Sequence, residues 1–205
     1  MASAATIAVH GMTRESFLLR STLAAGTAYG ALSVTPYIAR ALADSGAGDV
    51  DIVNYALTLE YLEAAFYTAA VKQVSGLSAD ELRLAKELRD NEDAHVDALA
   101  ATVKKLGGTP AAKPTFDFGG AFASRDAFLK TANVLEDTGV SAYNGAATAI
   151  TSVEVLGAAG SIVQVEARHA ALIRLARGKS PAPLAFDKAS EMDVVLKAVQ
   201  PFIRA

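Results

Sequence analysis

The sequence predicts an all-α protein. It reads as a four-helix bundle with a long crossover between its second and third helices and one extra helix at the C-terminus. Three observations carry this. Alanine and leucine dominate a chain that is 52% hydrophobic, and strand-type alternation is scarce. Two Glu-x-x-His motifs, Glu92-Asp93-Ala94-His95 and Glu166-Ala167-Arg168-His169, start 74 residues apart; the acids upstream of them, Glu60 and Glu136, are offset by 76. A stretch rich in Gly, Pro and Phe, residues 107–124, separates the two halves. Together these read as a helical hairpin repeated once, two antiparallel pairs about a pseudo-twofold axis.

The elements follow in order. Residues 1–43 read as a leader: Thr13-Arg14-Glu15-Ser16-Phe17-Leu18-Leu19-Arg20 precedes an alanine-rich run, and Ala41-Leu42-Ala43 has the small-residue pattern of a cleavage site. The opening resembles a twin-arginine export signal in which Glu15 stands for the second arginine, so a Sec-like route or a decayed signal is the alternative. The reading without export is an N-terminal helix packed on the bundle of a cytoplasmic protein. The remaining residues, 44–205, form one domain with its core at 51–178. The first helix runs from about Asp51 to Gln73 and stops at Ser75-Gly76. Ser78-Ala79-Asp80-Glu81 is a capping box that opens the second, which ends at Gly107-Gly108-Thr109-Pro110. A bundle whose second and third helices run parallel needs a crossover such as 107–124, with Phe116, Phe118 and Phe122 as its anchors. Ser124-Arg125-Asp126 opens the third helix, which reaches about Ala149. Thr151 or Ser152 caps the fourth, which ends near Gly178. After Pro181-Ala182-Pro183, a last amphipathic helix is expected over Lys188–Val199.

Composition excludes several classes. A net charge of −3 without basic blocks leaves no electrostatic footprint for nucleic acid. The absence of cysteine removes disulfides, thiolate ligands and iron–sulfur clusters. No stable membrane span is expected, since Arg20, Pro36 and Arg40 bracket a short, mildly apolar run. Hard metals held by carboxylate and imidazole remain.

On a helix, residues three apart share a face, so each Glu-x-x-His motif points a carboxylate and an imidazole the same way. Two of the three histidines in the chain complete these motifs; His10 falls in the leader and receives no role. Two copies on two helices suggest a dinuclear metal site. In the first helix Val53, Ala56, Leu57, Glu60, Ala64 and Tyr67 lie on neighbouring turns, which sets Glu60 on or near an apolar face. A glutamate pointing into a core is costly unless paired or metal-bound, and the same holds for Glu136, Glu166 and both histidines. Two divalent cations would cancel the charge of the gathered carboxylates.

These residues resemble the ferritin-like superfamily, and within it the bacterial ferritin-like domain family that includes desiccation-related proteins. The likeness rests on residues 54–67 (NYALTLEYLEAAFY), 91–95 (NEDAH), 136–143 (EDTGVSAY) and 161–170 (SIVQVEARHA), and the ending Met192-Asp193-Val194-Val195-Leu196 also fits. The resemblance implies a carboxylate-bridged pair of metal ions, iron or manganese with iron. Glu92 and Glu166 would be the bridging carboxylates, His95 and His169 would each bind one metal, and Glu60 and Glu136 would be terminal ligands. Tyr67 and Tyr143, each seven residues after a terminal glutamate, are candidate catalytic residues: each would donate a hydrogen bond to a carboxylate or act as a redox tyrosine. Glu63 would stand behind the ligands, line the access path or serve as an alternative ligand.

The leading expectation is a di-iron oxidoreductase of ferroxidase type that reduces oxygen or peroxide in stress protection. The alternatives are a manganese catalase-like enzyme and a non-catalytic, metal-stabilised stress or structural protein. A homo-oligomer is compatible with all three.

Overall fold

The computed structural model describes residues 48–204. The leader expected at residues 1–43 lies outside them. Helix α1 spans Asp49–Gln73, α2 Ala79–Lys105, α3 Arg125–Ala146, α4 Val153–Ala176 and α5 Met192–Val199. The first four pack as two hairpins, α1 with α2 and α3 with α4, laid against each other through α1 with α3 and α2 with α4. No described helix is long and apolar enough to cross a membrane.

The boundaries have local causes. Ser78 accepts from the Glu81 N–H at 3.2 Å while the Glu81 carboxylate accepts from the Ser78 N–H at 2.9 Å, the capping box read from the sequence. Ser124 and Ser152 cap α3 and α4 through the side chain alone, accepting from the N–H groups of Ala127 and Val155. Gly107, at φ 80°, takes the left-handed turn that ends α2, and the Gly108 N–H then closes on the Val103 carbonyl at 2.9 Å. Asp49 ties the two hairpins at one end: its carboxylate accepts from the N–H groups of Thr151 and Ser152, both at 2.8 Å.

The crossover runs along the bundle as expected. Phe118 and Phe122 set their rings 5.3 Å from the fully buried ring of Phe66, which stacks on Phe128. Asn54 of α1 holds the start of this segment, accepting from the Ala111 N–H at 2.7 Å and donating to the Thr109 carbonyl at 3.1 Å.

The C-terminal segment departs from expectation in two respects. Helix α5 starts at Met192, not Lys188, because the preceding backbone is engaged elsewhere: the Ser190 N–H bonds the Ser141 carbonyl of α3 at 2.9 Å, and the Ser190 carbonyl lies against Gly145, where a side chain would have no room. After α5, which buries Val195 and Val199, Ile203–Arg204 (β2) pairs antiparallel with Thr115–Phe116 (β1) of the crossover. Two residues per strand are too short for a periodicity signal. The expected third helix also ends earlier, with Ala147–Ala149 as a 3-10 turn.

Candidate metal centre

Each of the four long helices contributes to one buried polar cluster. Glu60 comes from α1, Glu92 and His95 from α2, Glu136 from α3, and Glu166 and His169 from α4. All four glutamates are 0% exposed and His169 is 2% exposed, which places at least four ionisable acids in a core of leucine, alanine and aromatic side chains. The three-residue spacing accounts for the pairing within each motif, and the hairpin offset brings both motifs to the same level.

The donor atoms converge in two sets. Glu60, Glu92, His95 and Glu166 form one; Glu92, Glu136, Glu166 and His169 form the other; within each, the ligand atoms lie within 4.8 Å of one another. All six residues named from the sequence are brought together. Glu92 belongs to both sets with its two oxygens divided: Oε2 lies 3.0 Å from His95 Nδ1 and Oε1 lies 2.8 Å from His169 Nδ1. Glu166 also belongs to both, but through one oxygen: Oε1 lies 3.1 Å from His95 Nδ1 and 3.9 Å from His169 Nδ1.

Hydrogen bonding alone does not account for this packing. His95 Nδ1 has three carboxylate oxygens around it, from Glu60 at 3.2 Å, Glu92 at 3.0 Å and Glu166 at 3.1 Å, and a single N–H serves one acceptor well. His169 Nδ1 is close to Glu92 but out of line for a hydrogen bond. Among the described residues, the buried side-chain polar atoms without a partner are His169 Nδ1, Glu92 Oε1, Glu136 Oε2, both oxygens of Glu166, Glu63 Oε2 and Tyr55 Oη. All but the last belong to this cluster or its edge. Lone pairs that face a common point and not each other suit a cation at that point. Four carboxylates and two neutral imidazoles carry the charge of two divalent ions with the opposite sign.

The family model of the ferritin-like domain matches residues 48–179, more than half of the chain. The protein belongs to the ferritin-like domain family. No curated protein matches it. The ferritin-like fold and the buried carboxylate and imidazole donors agree in pointing to metal binding.

Both tyrosines bond across the bundle. Tyr143 of α3 donates to Glu60 Oε1 of α1 at 2.5 Å, and Tyr67 of α1 donates to Glu136 Oε1 of α3. Each serves the glutamate of the other hairpin and not the one seven residues before it. The two bonds also show that α1 and α3 run antiparallel, since a higher number on one meets a lower number on the other. Burial, then the charge of the bonded glutamate, holds both hydroxyls protonated far above the usual phenol range.

The charge state without metal follows from the same geometry. Burial raises Glu60 to about 8, against the opposing pull of His95. Burial likewise raises Glu136, and raises Glu166 further with the help of the Glu60 and Glu92 charges. Glu92 is the exception: burial pushes it up, but the two imidazoles outweigh that and hold it at about 2. Burial opposes the charge on the histidines, yet the carboxylates around them raise His95 to about 12 and His169 to about 10. In the ferritin-like site, protons on the histidines and on the raised carboxyls stand in for cations, and metal binding must release them.

Three contributors were not read from the sequence. Asn91 lies 3.1 Å from His169 Nε2 through its side-chain amide. The Asn91 amide nitrogen is the end that faces Nε2; a flip of the amide would turn its carbonyl oxygen there, able to accept an Nε2–H were Nδ1 to bind a metal. Its place next to Glu92 was the available signal. Asn133 donates to Asp137 at 2.7 Å and accepts from Arg177, while Asp137 accepts from Arg174, which braces α3 on α4 beside Glu136. Gly139 is the third: a Cβ there would lie 3.0 Å from Glu166 Oε2.

Proposed function

We propose that this ferritin-like protein holds two divalent metal ions, iron by preference, between Glu60, Glu92, His95, Glu136, Glu166 and His169, and acts as a ferroxidase-type oxidoreductase towards oxygen or peroxide. The observation that carries the reading is the pair of donor sets that share Glu92 and Glu166, each set with its own histidine and its own further glutamate. When bound as Fe(II), such a pair supplies two electrons to oxygen or peroxide and ends as Fe(III). The chain's residues set the conditions. Glu92 and Glu166, shared between the two sets, would hold two like charges close together, and carboxylate oxygens favour the higher oxidation state. Tyr67 and Tyr143 donate to one oxygen of Glu136 and Glu60 and leave the other free for a cation. Their position also makes them the nearest phenols to give or receive a proton or an electron at those carboxylates. The apolar layers around the cluster exclude bulk water.

The test is anaerobic refilling with Fe(II), metal analysis, and then exposure to oxygen or peroxide. Two iron ions per chain, consumption of the oxidant and the near-ultraviolet absorption of Fe(III) are expected. Two bound ions that raise thermal stability but consume no oxidant would favour the metal-stabilised, non-catalytic alternative. Turnover of peroxide only with Mn(II) would favour the catalase-like one. No bound metal would refute the assignment.

A further inference from the structure

The repeat that relates the two hairpins carries Glu60 onto Glu136 and Tyr67 onto Tyr143, each by 76 positions. The same step carries Glu63 onto Gly139. Because α1 and α3 run antiparallel with Glu60 beside Tyr143 and Tyr67 beside Glu136, positions 63 and 139 face each other near the pseudo-twofold axis. A side chain stands on one side of that axis and none on the other. A Cβ on Gly139 would lie 3.2 Å from Glu63 Oε1 and 3.0 Å from Glu166 Oε2, so the two carboxylates occupy the space that a second side chain would fill.

Glu63 is 3% exposed, and its Oε2 is buried without a hydrogen-bond partner. The charged groups that act on it most strongly are Glu166, Glu136, Glu92 and Glu60, all of them acids. A buried carboxylate set among four others is costly to ionise, and a cation shared with Glu166 would offset that cost.

The two donor sets differ in how tightly they close. His95 Nδ1 has its three oxygens at 3.0 to 3.2 Å. His169 Nδ1 has Glu92 at 2.8 Å, but Glu136 at 3.5 Å and Glu166 at 3.9 Å. Glu63 lies outside both sets of donor atoms, but the acids that act on it most strongly are Glu166 and Glu136, ahead of Glu92 and Glu60, and Gly139, which its carboxylate touches, is one turn from Glu136, so it stands on the side of the looser set.

We infer that Glu63 is a seventh ligand, which completes the metal position of Glu136, Glu166 and His169 and makes the two positions unequal. The inference rests on the metal-pair reading above. Its test uses Co(II), whose visible absorption reports coordination, titrated into the metal-free protein with affinities read by calorimetry. The wild type is expected to take two Co(II) in two resolved steps. Glu63→Gln keeps size and shape but removes the anionic donor. It is expected to weaken one step by about tenfold or more, with the other step within about twofold. The loss should persist in a His95→Ala background and vanish in a His169→Ala background. Glu63→Leu, of similar volume and without an oxygen donor, should weaken the same step and serves as the second variant should Glu63→Gln fail to fold by circular dichroism. Two Co(II) bound by Glu63→Gln with both affinities and the absorption unchanged would overturn the assignment of Glu63 and leave the metal pair standing. A wild type that binds no Co(II) would overturn both.

Discussion

Glu92→Gln is the sharpest perturbation of the centre. Glu92 is the one carboxylate that divides its two oxygens between both histidines, at 2.8 and 3.0 Å, and the one acid in the cluster held below its ordinary value, at about 2. A drop of that size from 4.5 corresponds to about 3 kcal/mol at about 1.4 kcal/mol per unit. A depressed carboxyl contributes its stability above its unfolded pKa and loses it as pH falls through the folded one. At pH 7 the metal-free variant should therefore be less stable by about 3 kcal/mol, or about 6 to 12 °C in Tm for a domain of this size. The deficit should shrink as pH falls from 4.5 towards 2, where wild-type Glu92 also takes a proton. With metal the effect grows. Each site filled at a hundredfold excess over its Kd adds about 3 kcal/mol, and an amide cannot span two cations, so the variant should lose at least one of the two increments. Calorimetric melts of chelator-treated and metal-loaded protein, with metal analysis on the same samples, measure both parts. A variant that keeps two ions per chain and the full thermal shift would refute the shared-carboxylate reasoning.

Other expectations follow from the same geometry. Tyr67→Phe and Tyr143→Phe each leave a buried glutamate oxygen without its donor and should cost about 1 to 3 kcal/mol in urea unfolding, with the helical content kept. Because the two bonds are related by the pseudo-twofold axis, the two costs should be similar; a neutral result at both would remove the tyrosines from the structural account. The metal-free protein should lose stability as pH rises, from 4.5 to about 8 through Glu60 and from 6.5 towards about 10 and 12 through His169 and His95. The unfolded chain gives up these protons first and the folded chain retains them, so the sign is fixed; melts from pH 5 to 9 would show it, and a Tm that climbs over that range would contradict it. Metal affinity should move the opposite way and rise with pH, as proton release measured during titration would confirm. Gly145→Ala drives a methyl group into the Ser190 backbone and should lift the segment before α5 at a cost of about 1 to 3 kcal/mol, visible as faster hydrogen exchange at Ser190.

The bundle and the six donors were legible because each depends on a periodic or local signal. Glu92 with His95 and Glu166 with His169 need only the helical turn, and Ser78 with Glu81 needs only the first turn of α2. Glu60 and Glu136 were legible as acids on apolar faces. What the sequence could not convey depends on contacts between elements distant in the chain. The sequence offered Tyr67 and Tyr143 each a carboxylate to bond but not which one; over seven residues a helix advances almost two turns, and each hydroxyl reaches the glutamate of the facing helix. The start of α5 was misplaced because an amphipathic pattern does not report that Ser190 gives its backbone to Ser141. The pairing of β1 with β2 brings together residues 115 and 204, which no local pattern connects. Gly139 carries no signal in the sequence, and its place is visible only with the carboxylates of Glu63 and Glu166 resting on it.

The crossover at 107–124 has a consequence beyond its span. Two separate, identical hairpins could assemble the same four helices, but every substitution would then appear twice. At the centre of such a dimer two glutamates would collide over the axis, and two glycines would leave a hole. Joining the copies in one polypeptide lifts that constraint, so one copy can keep its acid while the other gives up its side chain. The linker that connects the halves is thus what permits them to differ.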